Sequence, residues 1–413
     1  MCKDLFLKNI ENIKNYLKSG ETKSENYKIG MEVEHFIIKK DTGVSVDYFE
    51  LNGIRDALKD LHKHGEWEAI FERDNIVGLK KNGSLITLEP GAQVEISVQP
   101  LEKIEDIERE YTDILKEIRN CIEKNNQDIA IIGYHPKSKI DEIHFIPKER
   151  YSFMKEYFKD KGKYALNMMK GTASTQISID YESESDFSKK FRVANFLSPL
   201  IYCIFDNSPM FEGEEWKGNS LRIKIWNNCD EDRSGIVEGA LDEEFNYESY
   251  ARYIIERPPI ITKINDEYIF TKDKSVKKIF NDSEMNSDEI EHILTMFFPD
   301  VRAKKYIEIR MADALPSPYN IAYAAFIKGI FYGDKSLDWL YNESLKYTED
   351  DLINFKNEVV SYGLDAVIYN HEVLRYMENL LNMCEEELGD ESRYLHPLYD
   401  LIKKKQKIWC LYK

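Results

Sequence analysis

Met31-Glu32-Val33-Glu34 alternates apolar and acidic residues, and four more stretches repeat the pattern: Gln93-Val94-Glu95-Ile96-Ser97, Gln176-Ile177-Ser178-Ile179-Asp180, Leu221-Arg222-Ile223-Lys224-Ile225-Trp226 and Ile307-Glu308-Ile309-Arg310-Met311. Successive side chains of a strand point to opposite faces. Each stretch is therefore expected to be a strand that sends Ile, Val or Met into a core and its acids and arginines the other way. An ordinary solvated sheet face carries a mixture of Thr, Lys and Ser. Repeated Glu on one face piles up like charge, which divalent cations relieve. The pattern predicts a metal-dependent site built on a sheet.

Outward from these strands, the chain reads as helices and turns. Residues 4–20, 50–65 and 101–125 have helical periodicity, and the turn signals Asn82-Gly83 and Pro90-Gly91 predict a hairpin feeding a longer strand. Asp128–His135 reads as an apolar strand. Residues 189–206 read as a helix interrupted near Pro199, and 285–300 as another ending at Phe298-Pro299. Tyr306–Ala312 is expected to be a strand, Pro318–Tyr332 a buried Ala-rich helix, and the last 75 residues helical. There is no internal repeat or Pro/Gly/Ser linker. The simplest account is one α+β domain over residues 1–413, with a sheet core at about 28–330 and a helical region at about 334–413. An antiparallel sheet is backed by helices on one face and left polar on the other.

The bulk properties narrow the function. A net charge of −18 repels phosphate backbones and anionic membranes, which argues against nucleic acid and membrane partners but leaves room for ATP held by local cations and metal. No apolar run approaches the ~18 residues that span a bilayer. The N-terminus leads into a charged helical segment and has no signal-peptide core. The six cysteines lie far apart without a CxxC pair, so a reducing cytoplasm is the expected setting. The eight histidines show no metal spacing, and there is no GxxxxGK[ST], GxGxxG or GxSxG. The chain says nothing about oligomeric state.

The candidate site residues follow from the strands. Glu32 and Glu34 sit two apart and share a face, which taken alone also fits an exposed strand. Glu89-Pro90-Gly91 places an acid directly before a tight turn, after which Gln93, Glu95 and Ser97 share a face. Hard oxygen ligands around a fixed turn suit Mg²⁺. Glu308 and Arg310 put an acid beside a guanidinium, either a salt-bridge ladder or a metal ligand next to an anion clamp. Arg222 and Arg233 bracket Trp226 and are candidate receptors for a substrate carboxylate.

The blocks GMEVEHF, LEPGAQVEIS, TASTQISID, LRIKIWNNCDEDRSG and FFPDVRAKKYIEIRMAD, in this order between residues 28 and about 330, resemble the signature blocks of plant and bacterial glutamate–cysteine ligases. The resemblance implies a glutamine-synthetase-like fold, an antiparallel sheet curved into a funnel around ATP, Mg²⁺ (or Mn²⁺) and glutamate. It implies that ATP phosphorylates the γ-carboxylate of glutamate and that the amine of cysteine attacks the acyl phosphate. Carried over by position, Glu32, Glu34, Glu89, Glu95 and Glu308 are metal ligands. Gln176 is a metal or substrate contact, Ser178 and Trp226 contact substrate, Arg222 and Arg233 hold glutamate carboxylates, Arg310 (with Glu308) faces the phosphoryl group, and Arg302 and Lys304 meet nucleotide phosphates. The middle strand departs from the family: Gln176-Ile177-Ser178 stands where relatives read Gln-Val-Asn, Gly171 where plant members carry Arg, and Ala173 where they carry Cys. These smaller residues predict a roomier acceptor pocket. A ligase of the same fold joining another acid–amine pair is the alternative; a metal-binding protein without catalysis fits less well, because a cation sink needs no arginines beside its acids.

Overall fold

The computed structural model describes residues 2–264 and 267–412. Among these residues, nine strands form the main sheet: β1 (Ile29–Lys39), β2 (Glu68–Glu72), β3 (Asn75–Lys81), β4 (Ser84–Leu88), β5 (Val94–Leu101), β6 (Gln127–Ala130), β7 (Thr175–Ile179), β8 (Val301–Ala303) and β9 (Ile307–Ile309). Their order is β8-β9-β7-β1-β5-β4-β3-β2, and every pairing is antiparallel. β1 is long enough to serve two partners on one edge. Its first half pairs with β7 and its second half with β6.

The period-two pattern fixes which face is dry. Met31, Val33, Ile96, Ile177, Ile179, Ile307 and Ile309 are completely buried. The helices Ile104–Ile122 and Tyr319–Phe331 pack on the sheet, the first against β5 and the second against β1 and β7. Each such aliphatic side chain contributes about 1.5–3 kcal/mol by leaving water. The apolar core is contiguous from Ile10 to Ile408. The turns are where the sequence puts them. Asn82 (φ 51°) and Gly83 (φ 93°) both lie in the left-handed region and close the β3–β4 hairpin. After β4, the Glu89 N–H donates to Gln93 O at 2.9 Å and the Ala92 N–H to Glu89 O at 2.9 Å, which returns the chain into β5.

Four of the five alternating stretches are strands; the fifth is not. Leu221–Trp226 is a short helix. Its informative pairs, Leu221/Ile225 and Arg222/Trp226, are four apart, and residues at i and i+4 share a face in a helix as well as in a strand. Six residues do not separate the two periods. Smaller differences are local. The strand expected at 128–135 is only β6, and the helix expected at 285–300 spans Ser287–Leu294. The interruption near Pro199 is a true break between Glu184–Phe196 and Ser198–Ile204, with the proline in the first turn of the second helix, where its missing N–H costs nothing. β2 and the hairpin Ile260–Ile264/Glu267–Lys272 carry no acidic alternation and were not anticipated.

Candidate active site

Strand register assembles the polar face into rows. Glu32 lies between Gln176 of β7 and Ser97 of β5; Glu34 lies beside Glu95, and Glu95 beside Thr87 of β4. In a third row Glu308 of β9 sits between Ser178 and Arg302. Directly opposed residues on one face have Cβ atoms about 5 Å apart, so these side chains interact. Together with Glu89 from the β4–β5 turn, Glu32, Glu34 and Glu95 line a cavity of about 320 Å³.

The acids crowd one another. Burial and the nearby Glu89 push Glu34 up to about 7, against the pull of Arg222, the Ser174 amide and Arg310. Burial, then the Glu308 charge, raises Glu32. Glu95 is raised well above the ordinary carboxylate range by burial and by Glu32, Glu89 and Glu34. Neutral donors supply part of the compensation: Ser174 N–H to Glu34 at 2.7 Å, and the Thr87 and Ser97 hydroxyls to one Glu95 oxygen at 2.7 and 3.1 Å. A divalent cation relieves such repulsion, so the donor set fits one. Among the described residues no three acids close on a single point. A spread row of this kind suits an ion that takes one or two carboxylates and completes its shell with phosphate oxygens and water.

Cations gather at the other side of the cavity. Both Glu308 oxygens are engaged: Lys304 Nζ lies 2.7 Å from one, while Arg302 and, at 3.4 Å, Arg310 share the other. Burial alone raises a carboxyl, but Arg302, Lys304 and Arg310 outweigh it and hold Glu308 far below its usual range. Glu308, expected as a metal ligand, is thus already engaged by these cations. As folded, it is the counter-ion that keeps three cations together. Arg310 also donates to Gln176 Oε1. Arg222 donates through Nη2 to Arg310 O at 3.0 Å and stacks its guanidinium over Trp226 at 5.4 Å, the i,i+4 pair of the short helix. Arg222 and Trp226 line this cavity, and the Arg222 Nε and the Trp226 indole Nε1 are buried donors with no hydrogen-bond partner among the described residues. Buried donors are normally satisfied, so a bound acceptor is the natural complement.

Several expectations fail on geometry. Arg233 does not reach the cavity. It is fully buried, ion-paired with Asp230, donates to Pro258 O and to the Tyr157 hydroxyl at 2.7 Å, and stacks on the Tyr157 ring. A buried guanidinium needs a paired acid, and the Asp230–Arg233 turn supplies it three residues back. Ser178 shares the polar face but lies beyond the cavity lining, with its Cβ 3.2 Å from where a Cβ of Gly30 would be. Gln93 lines the cavity yet spends its amide on structure, donating to Met169 O and Thr172 O and accepting from Gly91 N–H. Gly171 gives no extra room either. A Cβ there would meet the Tyr134 ring at 2.6 Å, so tyrosine already fills the space. Ala173 is packed with Phe36 and Ala314, away from the site.

The structure adds residues that the sequence reading missed. Lys148, Arg150, Tyr151 and Met154, from the start of helix Glu149–Tyr157, and Met168 and Met169 line the same cavity. Lys148 donates to Leu88 O at 2.7 Å, and burial lowers it from the ordinary lysine range. Arg150 has a buried Nε without a partner among the described residues. The one signal available was the basic pair in Lys148-Glu149-Arg150, which lies on a helix with no clear apolar stripe.

Comparison with known proteins agrees with this geometry. The family described as "Glutamate-cysteine ligase family 2(GCS2)" matches residues 28–407. Glutamate–cysteine ligase B, chloroplastic, of Oryza sativa subsp. japonica is 32% identical over 385 residues, covering 92% of this chain and 77% of that protein. The chloroplastic glutamate–cysteine ligase of Arabidopsis thaliana is 31% identical over 399 residues, covering 94% and 76%. The crystal structure of glutamate–cysteine ligase from Francisella tularensis in complex with AMP superposes with a TM-score of 0.52 at 11% identity, over 93% of this chain and 83% of that one, a likeness of fold. The α+β, glutamine-synthetase-like architecture expected from the sequence is the one observed. The chain belongs to glutamate–cysteine ligase family 2.

Proposed function

We propose that this chain is an ATP-dependent glutamate–cysteine ligase, which forms γ-glutamylcysteine through a γ-glutamyl phosphate. One observation carries the reading beyond family membership: a single cavity holds a row of mutually repelling carboxylates (Glu32, Glu34, Glu89, Glu95) facing a cluster of cations (Arg222, Arg302, Lys304, Arg310). That is the division of labour phosphoryl transfer to a carboxylate requires. Divalent ions, Mg²⁺ or in its place Mn²⁺, would each be held by one or two carboxylates of the row Glu32, Glu34, Glu89 and Glu95 and would neutralise the charge of the transferring phosphoryl group.

The remaining steps belong to the protein. Arg222, stacked on Trp226, binds a glutamate carboxylate. Arg310, fixed by Gln176 and Glu308, steadies the phosphoryl oxygens, and Arg302 and Lys304 hold nucleotide phosphates. Lys148 and Arg150 add positive charge from the opposite wall. Catalysis is then positioning and electrostatic stabilisation without a protein nucleophile. Met154, Met168, Met169 and Tyr151 form an apolar, polarizable wall suited to the acceptor thiol. The chain acts as one catalytic unit, supported by its contiguous core. The free thiols Cys121, Cys203, Cys229, Cys384 and Cys410 support a reducing compartment, in our reading the cytoplasm.

The test is ADP release with Mg²⁺, ATP, glutamate and a panel of amines. ADP formation with cysteine, and γ-glutamylcysteine as product, is expected. Turnover confined to another acid–amine pair refutes the cysteine assignment, and no ADP with any pair refutes ligation.

A further inference from the structure

Arg222 is carried by a helix of only six residues, Leu221–Trp226. Such a helix has little stability of its own, so its anchors decide where the guanidinium points. It is launched from Ser220, whose φ of 43° lies in the left-handed region. The Ser220 N–H donates to Asp206 Oδ2 at 2.8 Å and its hydroxyl to Tyr202 O at 3.0 Å. The C-terminal region reaches the same turn. Lys407 Nζ lies 2.7 Å from Asp206 Oδ2, the oxygen that holds Ser220, and donates to Asn219 Oδ1 at 2.9 Å. Asn219 in turn donates to Val360 O at 3.3 Å.

A second lysine does the matching job on the other side. Lys356 is ion-paired with buried Asp300, which also accepts from the Tyr202 hydroxyl at 2.6 Å. The carbonyl of Asp300 accepts from Arg310 N–H at 3.0 Å, and Arg310 O accepts from Arg222. Both arginines of the proposed site are therefore braced by acids whose charge is neutralised from the C-terminal region. Asp313, also buried, feels the charges of Asp206 and Arg222 together. Without Lys407, the Asp206 charge is left without this partner and adds its pull on Arg222, whose charge already acts on Asp313.

We propose that Lys407 is a positioning residue for Arg222, so that the C-terminal segment forms part of the substrate site through its contacts with Asp206 and Asn219. The proposal rests on the assignment of Arg222 to glutamate binding. Lys407→Met is expected to raise the glutamate KM about tenfold, as a displaced binding group does. kcat and the ATP KM should stay within about twofold, because the residues that meet phosphate are untouched. Lys407→Arg, which keeps the charge, should return most of the loss. In an Arg222→Lys background the Lys407→Met change should add nothing further. If Lys407→Met does not fold, Lys407→Gln, which removes the charge but keeps a polar side chain, should show the same split, and Asp206→Asn added to it should lower the glutamate KM again. A uniform loss of kcat and both KM values, or an unchanged glutamate KM, overturns the proposal. So does a crystal structure of the variant with Arg222 still over Trp226 and bonded to Arg310 O, whatever the kinetics. An Arg222→Lys variant with normal glutamate KM instead overturns the assignment of Arg222 itself.

Discussion

Glu34→Gln should make the metal-free protein more stable while removing its activity. Glu34 is held up to about 7 by burial and by Glu89, against an ordinary value of 4.5. Below pH 4.5 folded and unfolded chains both keep the proton. Between 4.5 and 7 the unfolded chain releases it and the folded one does not, so stability falls as pH rises and the full penalty applies above 7. A gap of about 2.5 units at about 1.36 kcal/mol each is a penalty of about 3 kcal/mol. The amide oxygen of Gln still accepts from Ser174 N–H but loses the charge assistance, a cost of about 1 kcal/mol. The net gain is about 2 kcal/mol at pH 8. Unfolding entropy of about 2.1 cal/mol/K per residue turns this into a Tm rise of about 2–3 °C for a chain of this length. Thermal unfolding of both proteins at pH 8 and pH 4.5, with chelator, measures it; the gain should vanish or reverse at the lower pH. Turnover with saturating Mg²⁺ and ATP should fall by about a hundredfold or more. A lower Tm for the variant at pH 8 in chelator refutes the repulsion argument, and near-normal turnover refutes the metal-ligand role.

Arg310→Lys should lower kcat with little change in the glutamate KM, because an ammonium does not reproduce the planar fork held between Gln176 and Glu308; a pure KM effect in steady-state kinetics would reverse the roles of Arg310 and Arg222. Arg233→Met should cost about 3–5 kcal/mol of stability by leaving Asp230 buried without its partner, and the folded fraction should keep its glutamate KM; denaturant titration and kinetics check both halves. Ser178→Asn should leave the ratio of kcat/KM for cysteine to that for 2-aminobutyrate within about twofold, since Ser178 lies outside the cavity lining; a larger shift would place it in the acceptor pocket after all.

The sheet was legible because its alternation is long and chemically biased: in β1, β5 and β9 a slip of one residue would bury Glu, in β7 Gln176 and Ser178, and expose the aliphatic residues. The same bias exposed Glu32, Glu34 and Glu95, each of which faces the cavity. What remained hidden has two causes. Leu221–Trp226 is too short for its period to be unique, so the same six residues fit a strand and a helix alike. The destination of an arginine depends on partners distant in sequence: Arg222 and Arg233 look alike in the chain, yet one meets a cavity and the other a buried aspartate. Lys148, Arg150 and the methionines come from segments whose local pattern is unremarked, and only the tertiary fold brings them to the site.

The contact between Gly171 and Tyr134 ties the identity of one position to the other in this chain. Tyr134 is fixed by its hydrogen bond to Glu212 and by Asn167 Nδ2 at 2.8 Å, and its ring occupies the volume that any side chain at 171 would need. The Arg of the plant pattern at this position is therefore incompatible with the tyrosine in its present rotamer. The two positions form an epistatic pair: Gly171→Arg is deleterious until position 134 has shrunk, and a small residue at 134 leaves a void until 171 has grown. Within this chain Tyr134 therefore holds position 171 to glycine, and the site is not free to drift while the tyrosine stays.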